Sequence, residues 1–251
     1  MKSLKVIAPV GRSSNGFTLV ELLVTMAISM VIVAAIFSTY LSQQKTQLAQ
    51  HQVVEMQQNL RALMTFLSSE IRLAGYDPDS VDNIGIIEAT KNTIRFTWDS
   101  DGNGITSGSG DNEKEEDIEY GFAVADDADG DGQADSGAAS FCRRRANVDS
   151  SDTGFESLAD NIVAVEFLYV MEDTNSNSIY DPETTLSPAA SEFDDIRAVT
   201  ISLLARAGRA DSDFLNTFSY TTASGVILGP YNDNYRRRML VTKVKLRNSG
   251  L

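Results

Sequence analysis

Between Phe17 and Phe37 the chain carries one charge, Glu21, and neither Pro nor Gly. At 1.5 Å per residue this run makes a helix of roughly 30 Å, the thickness of a bilayer hydrocarbon core. Polar residues follow at Ser42, Gln43, Gln44, Lys45 and Gln47, again without a breaker. Apolar residues then return at Val53, Met56, Leu60, Leu63, Leu67 and Ile71, in steps of three and four. That spacing draws one sticky face along a helix. Gly75 and Pro78 supply the first stop signals. The pattern therefore predicts one helix of about 55 residues, on the order of 80 Å long. Residues 17–41 form its transmembrane part and residues 42–75 its amphipathic part.

Beyond Pro78 the period changes from helical to alternating. Ile94, Phe96 and Trp98 alternate with Thr93, Arg95 and Thr97, and Ile118, Tyr120, Phe122 and Val124 form a second set. Ile162 to Val170 is apolar on both faces except at Glu166, which predicts a central strand. Ile196–Leu204 and Met239–Leu246 read as two more strands, and Phe141 lies on a short one ending in Arg143, Arg144 and Arg145. Strands joined by loops without long intervening helices favour an antiparallel sheet. The expected fold is α+β: a long N-terminal helix whose amphipathic half covers an antiparallel sheet built from residues 76–251. Trp98, Phe96 and Phe167 are core candidates.

The net charge of −14 argues against nucleic acid as a partner. Thirteen acids and one Lys lie between Asp99 and Asp135, so the imbalance is local. One Cys, Cys142, allows no intrachain disulfide. One His, His51, stands in a polar helical stretch and reads as a solvated residue.

Residues 1–16 are short and basic, with Lys2, Lys5 and Arg12 and no acid. Small residues at Ala34, Ala35 and Ser38 leave secretory cleavage as one option, but a helix that continues past the membrane exit opposes it. The octapeptide Gly16-Phe17-Thr18-Leu19-Val20-Glu21-Leu22-Leu23 resembles the type IV prepilin signature: Gly, then Phe or Met, then three mostly apolar or small residues, then Glu, opening a long hydrophobic helix. The resemblance implies that residues 1–16 are a cytoplasmic leader, consistent with positive-inside orientation. A prepilin peptidase would cut after Gly16, and Phe17 would be N-methylated. The domain would face the periplasm from the inner membrane and later enter an extracellular filament.

A carboxylate within an apolar helix is costly and needs a partner or a function. In the family the residue matching Glu21 pairs with the N-terminal amine of a neighbouring subunit, which fixes axial register during assembly. A Glu that snorkels to headgroups is the plainer alternative.

Glu70-Ile71-Arg72-Leu73-Ala74-Gly75-Tyr76 resembles the helix exit of PilW-type minor pilins. Ile196–Arg206, and Tyr235–Arg238 leading into Val244–Asn248, resemble that family's closing strands. The implied function is a minor pilin that joins other minor pilins and the major pilin, primes assembly and sits at the filament tip. A J-type minor pseudopilin of type II secretion shares the leader and domain plan. A calcium-dependent tip adhesin is another alternative.

The acidic loops carry the most pointed chemistry. Asp127, Asp129, Asp131 and Asp135 place oxygens at positions 1, 3, 5 and 9 of a calcium-type loop. Gly132 sits at position 6, and the Gln133 carbonyl at position 7. Position 12 is Ala138 and not Glu, so this is no EF-hand. Crowded carboxylates repel without a cation, and a flexible oxygen-rich loop suits Ca²⁺ better than Mg²⁺. Asp173, Asn175, Asn177 and Asp181 repeat the spacing, with Ser178 in place of Gly. Asp99, Asp101 and Asn103 give only the first three positions, which an ordinary Asx-and-Gly turn explains as well. The run Asp111–Glu119 lacks the spacing and reads as a solvated face.

Cys142 beside three arginines could have a lowered thiol pKa, but no base stands near it in sequence, and a buried cysteine is the plainer reading. The clusters Arg143–Arg145 and Arg236–Arg238 could bind anions or pair with the acidic loops, and the excess of acid favours pairing. No Ser-His-Asp set, phosphate loop or Cys-x-x-Cys motif is present, so catalysis is not expected.

Overall fold

The computed structural model describes residues 16–78, 84–106, 115–145, 155–173 and 182–248. One helix, α1, runs Leu19–Ile71 over 53 residues, as the unbroken pattern requires. It is long and apolar enough to cross a membrane. The chain divides into two compact units, one ending at Ala49 and one beginning at Gln50. α1 contributes to both.

In the first unit the large apolar side chains from Phe17 to Leu41 are exposed. An apolar surface all round a helix is stable only in lipid or among other helices. In the second unit Met56, Leu60, Leu63, Met64, Leu67 and Ile71 are buried and Val53 packs against them. The helix stops at Ile71, four residues before Gly75. There i+3 bonds from Leu73, Ala74 and Tyr76 to the carbonyls of Glu70, Ile71 and Leu73 tighten the exit. Gly75 follows at φ +75° and donates its N–H to the Thr97 carbonyl.

The strands are β1 (Ile86–Ala89), β2 (Ile94–Thr97), β3 (Asp117–Phe122), β4 (Ala139–Arg145), β5 (Phe155–Met171), β6 (Thr184–Thr185), β7 (Ile196–Arg206), β8 (Tyr220–Thr221), β9 (Ile227–Leu228) and β10 (Arg237–Lys245). The main sheet is antiparallel in the order β1-β2-β3-β4-β5-β7-β10, with β6 also on β5, and β8–β9 pair separately. β5 is longer than its apolar core because it serves two neighbours. Residues 155–162 pair with β4 and residues 162–171 with β7. Asn161, at φ 63°, lies in the irregular step of the β4 pairing, just before the β7 pairing begins at Ile162.

One face of the sheet shares its core with the helix: Val165, Phe167 and Tyr169 of β5 lie with Phe96, Tyr120, Phe141, Val199 and Ile201 in one cluster with Leu60, Leu67 and Ile71. Phe96, Tyr120 and Phe141 stack across β2, β3 and β4 at 6.1 and 6.4 Å between ring centroids. The opposite face carries a smaller core of Val163, Ala164, Leu204 and Leu228, with Tyr220, Tyr231 and Met239 against it. Buried Glu166 holds the β8–β9 turn onto this face, accepting from Thr222 Oγ1 at 2.8 Å, Ser224 Oγ at 2.6 Å and Ser224 N at 3.1 Å.

Three sequence expectations change. Val124 lies past the end of β3 and is exposed. Trp98 is buried but follows β2 rather than ending it. The run ending at Glu119 is not a solvated face: Glu116 and Asp117 are buried, and residues 111–114 lie outside the described residues. Asp117 is buried because Arg95, on the neighbouring strand, meets it with two hydrogen bonds of 2.8 and 2.7 Å. Such a bidentate pair lets a carboxylate leave water.

Candidate functional site

The start of α1 is built around Thr18 and Glu21. A Cβ placed on Gly16 would meet nothing within 4 Å, so packing gives no reason for glycine there. Glu21 Oε2 accepts from Thr18 N at 3.0 Å and Thr18 Oγ1 at 3.1 Å, while Glu21 N–H donates to Thr18 Oγ1 at 3.3 Å. This is a reciprocal capping box around the first helical turn. The sequence signal for it is Thr-x-x-Glu before an apolar run. Glu21 is exposed, so its carboxylate is open to a further partner.

The two acidic loops share the pattern Asp-x-Asp-Gly-Asp/Asn-Gly, and each curls around its first aspartate. Asp127 is buried. Its Oδ1 accepts from Asp131 N at 3.0 Å, and its Oδ2 accepts from Gly132 N at 3.0 Å and Asn92 Nδ2 at 2.7 Å. Oxygens of Asp127, Asp129 and Asp131 lie within 4.8 Å of one another. Asp135 is not in that group: its Oδ2 accepts from Ala128 N at 3.0 Å. The Gln133 side chain donates to Asp131 Oδ2 at 2.7 Å. The loop also completes the sheet beside β5, since Val165 N donates to Gly132 O and Ala134 N to Val163 O.

Gly132 makes that approach possible. It stands at φ +78°, and a Cβ there would lie 2.5 Å from the Val165 carbonyl oxygen. Gly132→Ala is expected to cost about 2–3 kcal/mol, from left-handed backbone strain and the clash. Gly130→Ala, at φ +69° in open space, should cost only about 1 kcal/mol. Urea unfolding of the two variants side by side measures the difference.

In the other loop Asp99 is buried and accepts from Gly102 N at 2.7 Å and Gly104 N at 2.9 Å. Burial pushes its carboxyl up, but the N–H groups of Gly104, Gly102, Asn103 and Asp101 outweigh that and hold it below the usual range. Asn103 turns away, its Oδ1 accepting from Ile105 N at 2.7 Å. The third member of this cluster is Glu116, whose oxygen lies within 4.8 Å of those of Asp99 and Asp101. No local spacing could have found it, because it arrives from the start of β3. In the remaining candidate loop, Asn175, Asn177 and Asp181 lie outside the described residues, and only Asp173 is described.

The arginine clusters pair with acids, though among the described residues not with those of the Asp127 loop. Arg143 meets Glu70 at 3.6 Å and Glu115 at 3.1 Å, Arg144 meets Glu119, and Arg145 meets Glu115 at 2.7 Å. Arg236 meets Asp211 at 2.8 Å, and Arg237 meets Asp233 at 2.6 Å. Tyr120 also donates its hydroxyl to Glu70, which joins the end of α1 to β3 and β4. Burial pushes the Glu70 carboxyl up, and Arg143 offsets part of that. Cys142 is buried, and burial, aided by Asp126, raises its thiol pKa, contrary to an activated thiolate.

Comparison with known proteins agrees at both ends of the chain. A prokaryotic N-terminal methylation motif matches residues 11–37, a motif that implies processing by a prepilin peptidase. A type IV-like pilin from Thermus thermophilus is similar in structure at 14% identity, covering 77% of this chain and 98% of that one with a TM-score of 0.41. No curated protein matches in sequence. The family model for type IV pilus-assembly protein W matches residues 119–248, more than half of the chain, and the protein belongs to that PilW family.

Proposed function

We propose that the protein is a minor pilin of a type IV pilus whose work is assembly and not catalysis. One observation carries the reading. A single helix, opened by a methylation motif, is exposed and apolar over Phe17–Leu41 and buried in a sheet domain over Met56–Ile71. Such an element anchors the chain in the inner membrane and then packs laterally among other pilin helices. The leader is removed after Gly16, Phe17 becomes the methylated N-terminus, and the Glu21 carboxylate meets a neighbour's amine. The chain joins other minor pilins, primes filament assembly and sits at the tip. Calcium at Asp127, Asp129 and Asp131 orders a loop of the exposed domain.

Mass spectrometry of sheared, purified filaments tests the reading. The expected species begins at N-methyl-Phe17 and is present at a small fraction of the major subunit. Recovery of the chain only with secretion pseudopilins, or cut downstream of α1, would overturn it.

A further inference from the structure

We propose that Asp99, Asp101 and Glu116 bind a divalent cation, Ca²⁺ by the chemistry of the ligands. The inference extends the calcium reading to a second cluster, with Glu116 in place of the Asn103 that spacing suggested, and does not depend on the Asp127 loop. Asp99 and Glu116 are fully buried, and one oxygen from each of the three carboxylates lies within 4.8 Å of the others. Glu116 Oε1 is satisfied by Ser100 N at 2.8 Å and Ser100 Oγ at 2.6 Å. Its Oε2 is buried with no hydrogen-bond partner among the described residues.

A buried carboxylate oxygen left without a donor is costly, and a second and third carboxylate beside it add repulsion. A hard cation resolves both at once: it supplies the missing partner and neutralises the cluster. The Asp127 loop differs here, because both oxygens of its buried Asp127 already accept hydrogen bonds. Asp99 and Asp101, on a loop that turns through Gly102 at φ +73° and Gly104 at φ +71°, and Glu116 from the approach to β3 offer up to six carboxylate oxygens, and water completes the six to eight, at roughly 2.3–2.6 Å, that Ca²⁺ takes. Mg²⁺ asks for a tighter octahedron.

The site's position gives the ion a structural task. Asp99 N–H donates to the Tyr76 carbonyl at 2.8 Å, Gly75 N–H to Thr97 O at 3.0 Å, and Trp98 N–H to Glu116 O at 3.1 Å. A cation between Asp99 and Glu116 therefore braces the exit of α1, the end of β2 and the approach to β3 as one junction.

Calorimetric titration of the chelator-stripped full chain in detergent with CaCl₂ tests this, comparing wild type, Glu116→Gln and Asp127→Asn. Glu116→Gln keeps the side-chain shape and the acceptor for Ser100. It is expected to weaken one binding event by about tenfold or more and to remove the matching Ca²⁺-dependent rise in Tm. Asp127→Asn should leave that event intact. Wild-type stoichiometry and affinity in Glu116→Gln would overturn the site, and loss of all binding in Asp127→Asn alone would assign calcium to the other loop. Should Glu116→Gln fail to fold, Tb³⁺ added to wild type and excited through Trp98, the chain's single Trp and the neighbour of Asp99, gives a second measure. Sensitised emission displaced by Ca²⁺ is expected, and its absence overturns the proposal.

Discussion

Glu21→Ala is expected to remove the chain from filaments while leaving its membrane level and the fold of its sheet domain unchanged. Glu21→Gln separates the two jobs this side chain can do. In the single chain Glu21 completes a capping box with Thr18, a role worth about 1 kcal/mol that an amide oxygen largely keeps. In a filament its charge would neutralise a neighbour's terminal amine among apolar helices. There, breaking a buried ion pair costs about 3–5 kcal/mol, because the remaining charge is stranded. At about 1.4 kcal/mol per tenfold, that is a loss of more than a hundredfold in incorporation. Glu21→Gln should therefore fail nearly as badly as Glu21→Ala. Quantitative immunoblotting of sheared filaments against whole membranes reads the result. Wild-type incorporation of Glu21→Gln would show that the cap suffices and that register is set elsewhere.

Leu67→Ala should unfold the sheet domain at a markedly lower temperature. Leu67 is fully buried in the cluster that joins α1 to Phe96, Tyr120, Phe141 and Phe167. Removing it deletes the transfer energy of its methyl groups and leaves a cavity between helix and sheet, a cost of about 3–4 kcal/mol. For a domain of this size that lowers Tm by roughly 6–15 °C. Leu48→Ala is the control on the same helix. Leu48 is exposed, so its loss should stay within about 0.5 kcal/mol. Near-UV circular dichroism melts of the detergent-solubilised chain distinguish the two. Equal melting temperatures would contradict the helix–sheet core.

The sequence by itself determined the helix and its division of labour. The run from Phe17, the absence of breakers, and the three- and four-residue steps from Val53 to Ile71 follow from helical geometry alone, and Met56, Leu60, Leu63, Leu67 and Ile71 are indeed buried. The alternating stretches marked β2 and β3, because pleat and period are local properties, the continuous apolar run Ile162–Val170 marked β5, and the stretches Ile196–Leu204 and Met239–Leu246 marked β7 and β10. The methylation motif was legible for the same reason: it is a short contiguous string read by an enzyme.

Only the tertiary structure decided which acids leave water and what meets them. Asp117 is buried because Arg95 lies across from it on β2. Glu70 meets Arg143 and Tyr120, on strands far along the chain. Glu166, the odd charge in an apolar strand, is held by Thr222 and Ser224 of a turn that packs on the far face of the sheet. Glu116 joins Asp99 and Asp101 across a gap in sequence and leaves one oxygen unmet. Charge spacing along the chain ranked the Asp127 loop first. Desolvation singles out Glu116, because the cost of burying a carboxylate depends on neighbours that the fold brings in from a distance.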